Sequence, residues 1–348
     1  MTSRRLRDRN PVQRIILCVV VILTLCLCGC ASEPQAVLKM PKNPVFRLSS
    51  YAFDSAKPLE ERIEPVPDVV LEYLERMDGR SYANYTPTTK EIDMISAYLG
   101  TLLPLHRRVL RERLVGIYFL DPFLGGGLSE YVLDENDEIF AFMAFNAETL
   151  HLDLSAWITY RDNTAFRPGD GQTIRAECGT EYTGFMHILL HEATHVVDFV
   201  EGITPYLRNS IPSSVGSRGR LDAKTPFTSG IWRDYTQVHQ PHDFPLRPKI
   251  TFYGLHGGPH LSIREAETVY GQLASSPFVS LYASISGAED LAELVAWYHL
   301  SEVLNQPHRI ICSAPQRADR VFEFKPRAVT SERRAVIEAF YRDNDSAD

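Results

Sequence analysis

Two histidines and a glutamate in the run His191-Glu192-Ala193-Thr194-His195 have the types and spacing to do chemistry together. On a helix four residues turn the chain by about 400°, so the two imidazoles share one face roughly 6 Å apart and can reach one cation. Glu192 is turned by about 100° from His191, which suits a carboxylate that takes a proton from an attacking water without binding the metal. The chemistry implied is metal-assisted hydrolysis, and the spacing is that of zinc hydrolases. Residues 185–199 hold no Gly or Pro, Thr180 or Thr183 can cap the start, and Gly202 stands where the helix would stop. The competing interpretation is an amphipathic core helix whose histidines are satisfied by other partners.

A hydrolytic zinc site needs a third protein ligand and an open position for water. Asp198 shares the helical face, but at 1.5 Å per residue it lies about 4.5 Å beyond His195, so it is expected to support a ligand or carry surface charge and not to bind metal. His187 lies one turn earlier and reads as a core or cleft-lining residue. The stronger candidate comes about ninety residues on, in Ser286-Gly-Ala-Glu289-Asp-Leu-Ala-Glu293-Leu-Val-Ala-Trp297. Glu289 and Glu293 share a face, so Glu289 can reach the metal while Glu293 holds a ligand His from behind. Ser286-x-x-Glu289 is also a capping box, which would use Glu289 only to close the helix start.

The pairing of His191-Glu-x-x-His195 with Glu289-Asp-Leu-Ala-Glu293 resembles the gluzincin-type zinc metallopeptidases, and within them the Glu-x-x-Ala-Glu arrangement of the anthrax lethal factor catalytic domain. The resemblance covers roughly residues 180–300. It implies one Zn²⁺ per chain held by His191, His195 and Glu289, with Glu192 as general base and Glu293 behind the ligands. Tyr282, seven residues before Glu289, takes the place of the family's oxyanion-stabilising Tyr. It further implies a zincin-like α+β domain with a mixed sheet, the His-Glu-x-x-His helix and a second Glu-bearing helix, the sheet edge lying along the cleft. The expected function is endopeptidase action on a peptide or protein substrate. The alternative is a non-catalytic surface lipoprotein that keeps the fold to bind a partner or metal; no amidase pattern is present.

The elements that must position these residues follow from punctuation and period. Residues 69–77 and 89–114 read as helices, the second interrupted near Pro104 and carrying Arg107, Arg108, Arg111 and Arg113 on a solvated face. Residues 114–120, 129–133 and 138–145 read as strands, the last two joined as a hairpin through Asp134-Glu-Asn-Asp137. Gly125-Gly-Gly127 lacks the phosphate-loop ending and reads as a flexible turn. Residues 203–260 carry the least regular pattern and would sit beside the cleft; an accessory metal site from His239, His242, His256 and His260 is a weak expectation.

The N-terminus bears on where this chemistry occurs. Five Arg precede an apolar run at 15–27, about thirteen residues, too short to span a bilayer and suited to a secretory leader. Leu27-Cys28-Gly29-Cys30 resembles a bacterial lipobox, which implies removal of residues 1–29 as a signal peptide, lipid on Cys30, a tether over 30–50 and a catalytic domain over 51–348. The expected location is the bacterial cell envelope, at the outer membrane or facing the periplasm, with the lipid as the contact to the membrane. Cleavage would take five Arg and one Asp from a chain of 36 basic and 44 acidic residues, moving the net charge from −8 to −12. Such acidity argues against nucleic acid as a partner. Cys178 and Cys312 would be the two Cys of the folded part, and in an oxidising compartment they are candidates for a disulfide, or else small buried apolar residues. Globomycin should accumulate the uncleaved precursor, and Cys30→Ser should abolish palmitate labelling. A mature chain that starts elsewhere and takes no label would refute the lipobox.

Overall fold

The computed structural model describes residues 43–169, 171–205, 225–326 and 330–342. Cys30, the leader and the tether as far as residue 42 lie outside the described residues. The chain is mixed α+β with small mixed sheets. Three helices come first, α1 (Asp68–Asp78), α2 (Thr89–Gly100) and α3 (Pro104–Arg113). Thr88 and Glu91 close a capping box at α2, and Pro104 opens α3 as a separate helix because its ring fits a first turn and not an interior.

The first sheet has the order β1-β3-β2, from β1 (Leu114–Leu120), β2 (Gly127–Leu133) and β3 (Ile139–Asn146). β1 runs parallel to β3, while the expected hairpin pairs β2 antiparallel to it, from Gly127↔Phe145 to Leu133↔Ile139. β3 is central and buried throughout. Its alternation feeds two cores, Ala141, Met143 and Phe145 facing the larger and Phe140, Phe142 and Ala144 the smaller. Among the described residues the outer edge of β2 is paired only at Leu133, by an isolated bridge to Arg47.

The larger core is built from α4 (Leu154–Asn163), α5 (Gly184–Glu201), α6 (Ala266–Leu273) and α7 (Gly287–Tyr298), which continues into a single π turn at His299–Val303. Short β4 (Phe166–Arg167) pairs parallel with β6 (Leu261–Ser262). A second sheet joins β5 (Thr173–Glu177), β7 (Arg309–Ser313) and β8 (Arg320–Glu323) in the order β5-β7-β8, and α8 (Ser331–Phe340) closes the chain. Among the described residues no helix is long and apolar enough to cross a membrane.

Two expectations are corrected here. Residues 43–50 are not tether, because Val45 and Phe46 are fully buried in the smaller core, against Tyr73 and Tyr131. Cys178 and Cys312 are both free and buried. Cys312 pairs with Ile174 across the β5–β7 ladder, and Cys178 lies four residues further along that strand, about 13 Å away at strand spacing, well beyond the roughly 7 Å a disulfide allows. Burial pushes the Cys312 thiol up to about 12 and raises Cys178 further, so both behave as small apolar side chains.

Four buried histidines, His106, His187, His299 and His308, are held below the ordinary value by burial and make the fold sensitive to acid. Burial, then the neighbouring His299, lowers His106 to about 3, and burial lowers His299 to about 4. Thr194 donates its hydroxyl to Leu190 O, so it accepts from His106 Nε2 at 3.0 Å, which sets the neutral tautomer. Both folded values lie below the ordinary 6.5, so the stabilisation is present above pH 6.5 and is lost as pH falls towards 4 and 3. For His299 alone the effect reaches about 3 kcal/mol at most. The urea midpoint, measured with chelator present, should therefore drop between pH 7 and pH 4.5. His106→Gln with His299→Asn should reduce that drop and leave the share carried by His187 and His308; a double variant that follows the parent would show that His106 and His299 do not contribute.

Candidate metal centre

α5 is buried from Gly184 through Thr194, and it enters the core where only glycine fits, since a Cβ at Gly184 would stand 2.5 Å from Trp157. It ends at Gly202 in the left-handed region, φ 66°. The glycine run before β2 is a close approach and not the flexible turn expected. A Cβ at Gly126 would lie 2.6 Å from Ile188 and Trp157, and one at Gly127 would lie 2.8 Å from Ile188 and 3.0 Å from Glu192 Cγ. The start of β2 therefore rests directly on α5 beside Glu192, and Ser129 Oγ donates to the Glu192 carbonyl at 3.0 Å.

α7 lies across α5 and brings its two glutamates to the two histidines. Ser286 caps α7 by accepting from Glu289 N at 3.3 Å, while the Glu289 carboxylate turns to the histidines instead of closing the box. Glu289 Oε2 lies 3.0 Å from His191 Nε2 and 3.4 Å from His195 Nε2, and the two Nε2 atoms are 3.1 Å apart. Among the described residues this is the group of His, Cys, Asp or Glu that could hold a metal ion. Ligand atoms bound tetrahedrally at roughly 2.1 Å are separated by about 3.3 Å, close to this triangle. Its chemistry points the same way. His191 Nδ1 is 3.1 Å from Glu293 Oε1, which makes Nδ1 the donor and leaves the Nε2 lone pair facing a second imidazole nitrogen and a carboxylate. Those three electron-rich atoms need a cation or a proton between them.

The electrostatics express that need. Burial alone would lower His191, but hydrogen bonds to Glu289 and Glu293 outweigh it and push it up to about 10. His195 is raised against its burial by Glu289, and Glu289 is held well below the usual carboxylate range by His195 and His191 although burial acts the other way.

Glu293 is fully buried and collects donors from four residues. Besides His191, it accepts from Arg161 Nη1 at 3.0 Å to each oxygen, from Ser280 Oγ at 2.5 Å and from Trp297 Nε1 at 3.2 Å. Arg161 on α4 also donates from Nε to Asp162 Oδ1 at 3.1 Å, and Asp162 accepts from Tyr270 OH at 2.7 Å. His187 sits in the core as expected, its Nε2 3.1 Å from Glu293 Oε1 without hydrogen-bond alignment and its ring against Trp297.

Glu192 is 5 % exposed, and its Oε2 has no hydrogen-bond partner among the described residues. Burial raises its carboxyl, partly opposed by His191 and His195. The Tyr282 ring packs edge-on to His191 at 5.7 Å, and burial followed by the Glu289 charge keeps its phenol protonated. Asp198 accepts from Thr204 N at 2.6 Å and from the Thr204 hydroxyl, so it holds the turn after α5. These groups line one cleft of about 300 Å³ walled on one side by β2 from Gly127 to Tyr131. The histidines at 239, 242, 256 and 260 form no metal group among the described residues.

Sequence reasoning did not identify Arg161, Ser280 and Trp297 around Glu293, nor two cleft residues. Glu130 on β2 is pushed up to about 7 by burial, against the hydrogen bond from Tyr73 OH at 2.7 Å. Tyr235 lines the same cleft. No family model, curated protein or solved structure matches the chain. The full chain should bind about one divalent transition-metal ion, and Glu289→Ala or His195→Ala should lose most of it while Asp198→Ala keeps it. Glu293→Gln should weaken metal binding roughly 10–100-fold and lower stability, since Arg161 loses its buried counter-charge. Metal analysis after dialysis checks this, and full retention by Glu289→Ala would overturn the ligand set.

Proposed function

We propose that the chain is a zinc-dependent endopeptidase of gluzincin type with a zincin-like catalytic domain. The observation that carries this reading is the unpartnered, buried Oε2 of Glu192 beside a triangle of two imidazoles and a carboxylate, on the floor of a cleft bordered by a free strand edge. A buried carboxylate oxygen costs free energy when it has no partner, and a site that holds a substrate water supplies one.

The donor set of His191, His195 and Glu289 fits Zn²⁺, which when bound acts as a Lewis acid and lowers the pKa of water towards neutrality. An extended peptide can pair with the free edge of β2, the usual way a strand edge holds a chain, which presents its carbonyl to the floor of the cleft. Glu192 Oε2 then takes a proton from water as its oxygen bonds to the carbonyl carbon. Tyr282 donates its O–H to the carbonyl oxygen as negative charge builds there. When the C–N bond breaks, the electron pair goes to nitrogen and Glu192 returns the proton to the leaving amine. The raised carboxyl of Glu192 suits this double duty, because a base that must also act as an acid works best with a pKa moved towards neutrality. In this proposal the enzyme is tethered by lipid on Cys30 to the bacterial envelope and acts there on peptides or proteins.

Glu192→Gln is nearly isosteric and removes only the basic site. Metal content and fold should survive, while hydrolysis of an unbiased peptide library falls by at least about 10²-fold. Parent activity should also vanish with chelator and return with zinc. A parent that holds zinc and admits a hydroxamate yet cleaves nothing in the library would favour the binding lipoprotein instead.

A further inference from the structure

Tyr235 reaches the cleft from a segment whose sequence shows no regular pattern, yet that segment is tightly built. Trp232 bridges to Val238 across a short hairpin, with Arg233 N donating to Gln237 O at 2.7 Å. Asp234 Oδ1 accepts from Thr236 N at 3.0 Å and Gln237 N at 2.8 Å, which fixes the tip. Tyr235 stands at that tip. The hairpin is in turn fastened to the start of α7, two residues before Glu289. The Tyr235 carbonyl accepts from Gly287 N at 3.0 Å, one of the amides a helix start leaves unpaired, and Trp232 Nε1 donates to Asp290 at 2.8 Å. Arg247 Nη1 ties Thr236 O at 3.1 Å to Ser284 O at 3.2 Å in the turn that carries Tyr282.

The Tyr235 side chain lines the cleft with Glu289, His195 and Tyr282. Burial, followed by the Glu289 charge, pushes Tyr235 up to about 12, so at neutral pH it is a donor and not a base.

We propose that Tyr235 is a second catalytic phenol, which donates its O–H to the carbonyl oxygen of the bound peptide alongside Tyr282. This rests on the peptidase reading and adds to it a donor supplied by the 232–238 hairpin. Substrate and transition state differ most at that oxygen, so a donor aimed there raises kcat more than it lowers KM. A residue that only shaped the wall would act on KM.

The test compares Tyr235→Phe with the parent in the zinc-loaded full chain, using the best substrate from an unbiased peptide library and, separately, acetohydroxamate as a probe that chelates the metal and offers its oxygens to nearby donors. The variant removes one oxygen, so zinc content and urea midpoint should stay at parental values. The expected result is a fall in kcat of at least about tenfold with KM within about threefold, and acetohydroxamate affinity weaker by about fivefold or more. Unchanged kcat and unchanged acetohydroxamate affinity would overturn the proposal, as would a rise in KM alone. Should the parent cleave no library peptide, the peptidase reading falls, and the acetohydroxamate comparison alone decides whether Tyr235 donates into the site.

Discussion

The buried carboxylate of Glu293 is the interaction on which the rest of the structure depends. An isolated charge in a protein interior costs several kcal/mol or more, and the chain meets that cost with donors from α4, α5, α7 and the Ser280 turn. Because Arg161 reaches both oxygens, α4 and α7 are locked in one relative position, and Asp162 with Tyr270 completes the charge balance around Arg161. The same carboxylate faces His191 Nδ1 and so decides which ring nitrogen is left for a metal. Packing of the larger core and orientation of the candidate ligand are one network, so the site is as rigid as the core.

A second constraint acts on the other side of α5. Gly126 and Gly127 let β2 descend onto Ile188 and Glu192, and any larger residue would lift the strand away. Among the described residues the strand order β1-β3-β2 then leaves the edge of β2 unpaired where it passes Glu192. An open edge is ordinarily a liability in a sheet. Here it is short and borders the cleft, and in the proposed function a substrate backbone would pair with it.

What was legible in the sequence is what helix and strand periods dictate locally. His191, Glu192 and His195 come together because any helix brings residues four apart onto one face, and Glu289 with Glu293 follows by the same rule. The capping interpretation of Ser286 and the ligand interpretation of Glu289 proved compatible, since the backbone amide of Glu289 serves the cap while its carboxylate serves the histidines. Arg161 was not legible. It stands 132 residues from Glu293 on a helix with no strong amphipathic pattern, and a lone Arg reads as solvated until its counter-charge is known. Tyr235 was hidden for a related reason, because its hairpin is held by side-chain caps and a tie to α7 and not by a hydrophobic period. The free cysteines turned on strand register, which an apolar five-residue strand does not announce.

The acidic residues on α5 and α7 show how surroundings, and not residue type, assign the work. Asp198 is saturated by Thr204 and serves the turn after α5. Asp290, fully buried on the far side of α7, takes Trp232 and Arg333 and serves the docking of the hairpin and of α8. Glu293 is saturated by donors and serves His191. Glu289 faces two imidazoles and is held ionised, the state a metal ligand requires. Glu192 and Asp290 each keep a buried oxygen with no hydrogen-bond partner among the described residues and a carboxyl raised by burial, and of the two Glu192 lines the cleft beside the histidines. Carboxylates whose environments push their pKa values apart mark the division between binding and proton transfer. In the proposed reaction the base role therefore goes to Glu192, which faces the cleft where Asp290 does not, and the ligand role to Glu289, which faces both imidazoles. Burial and hydrogen bonding support that proposal alongside the spacing that first singled them out.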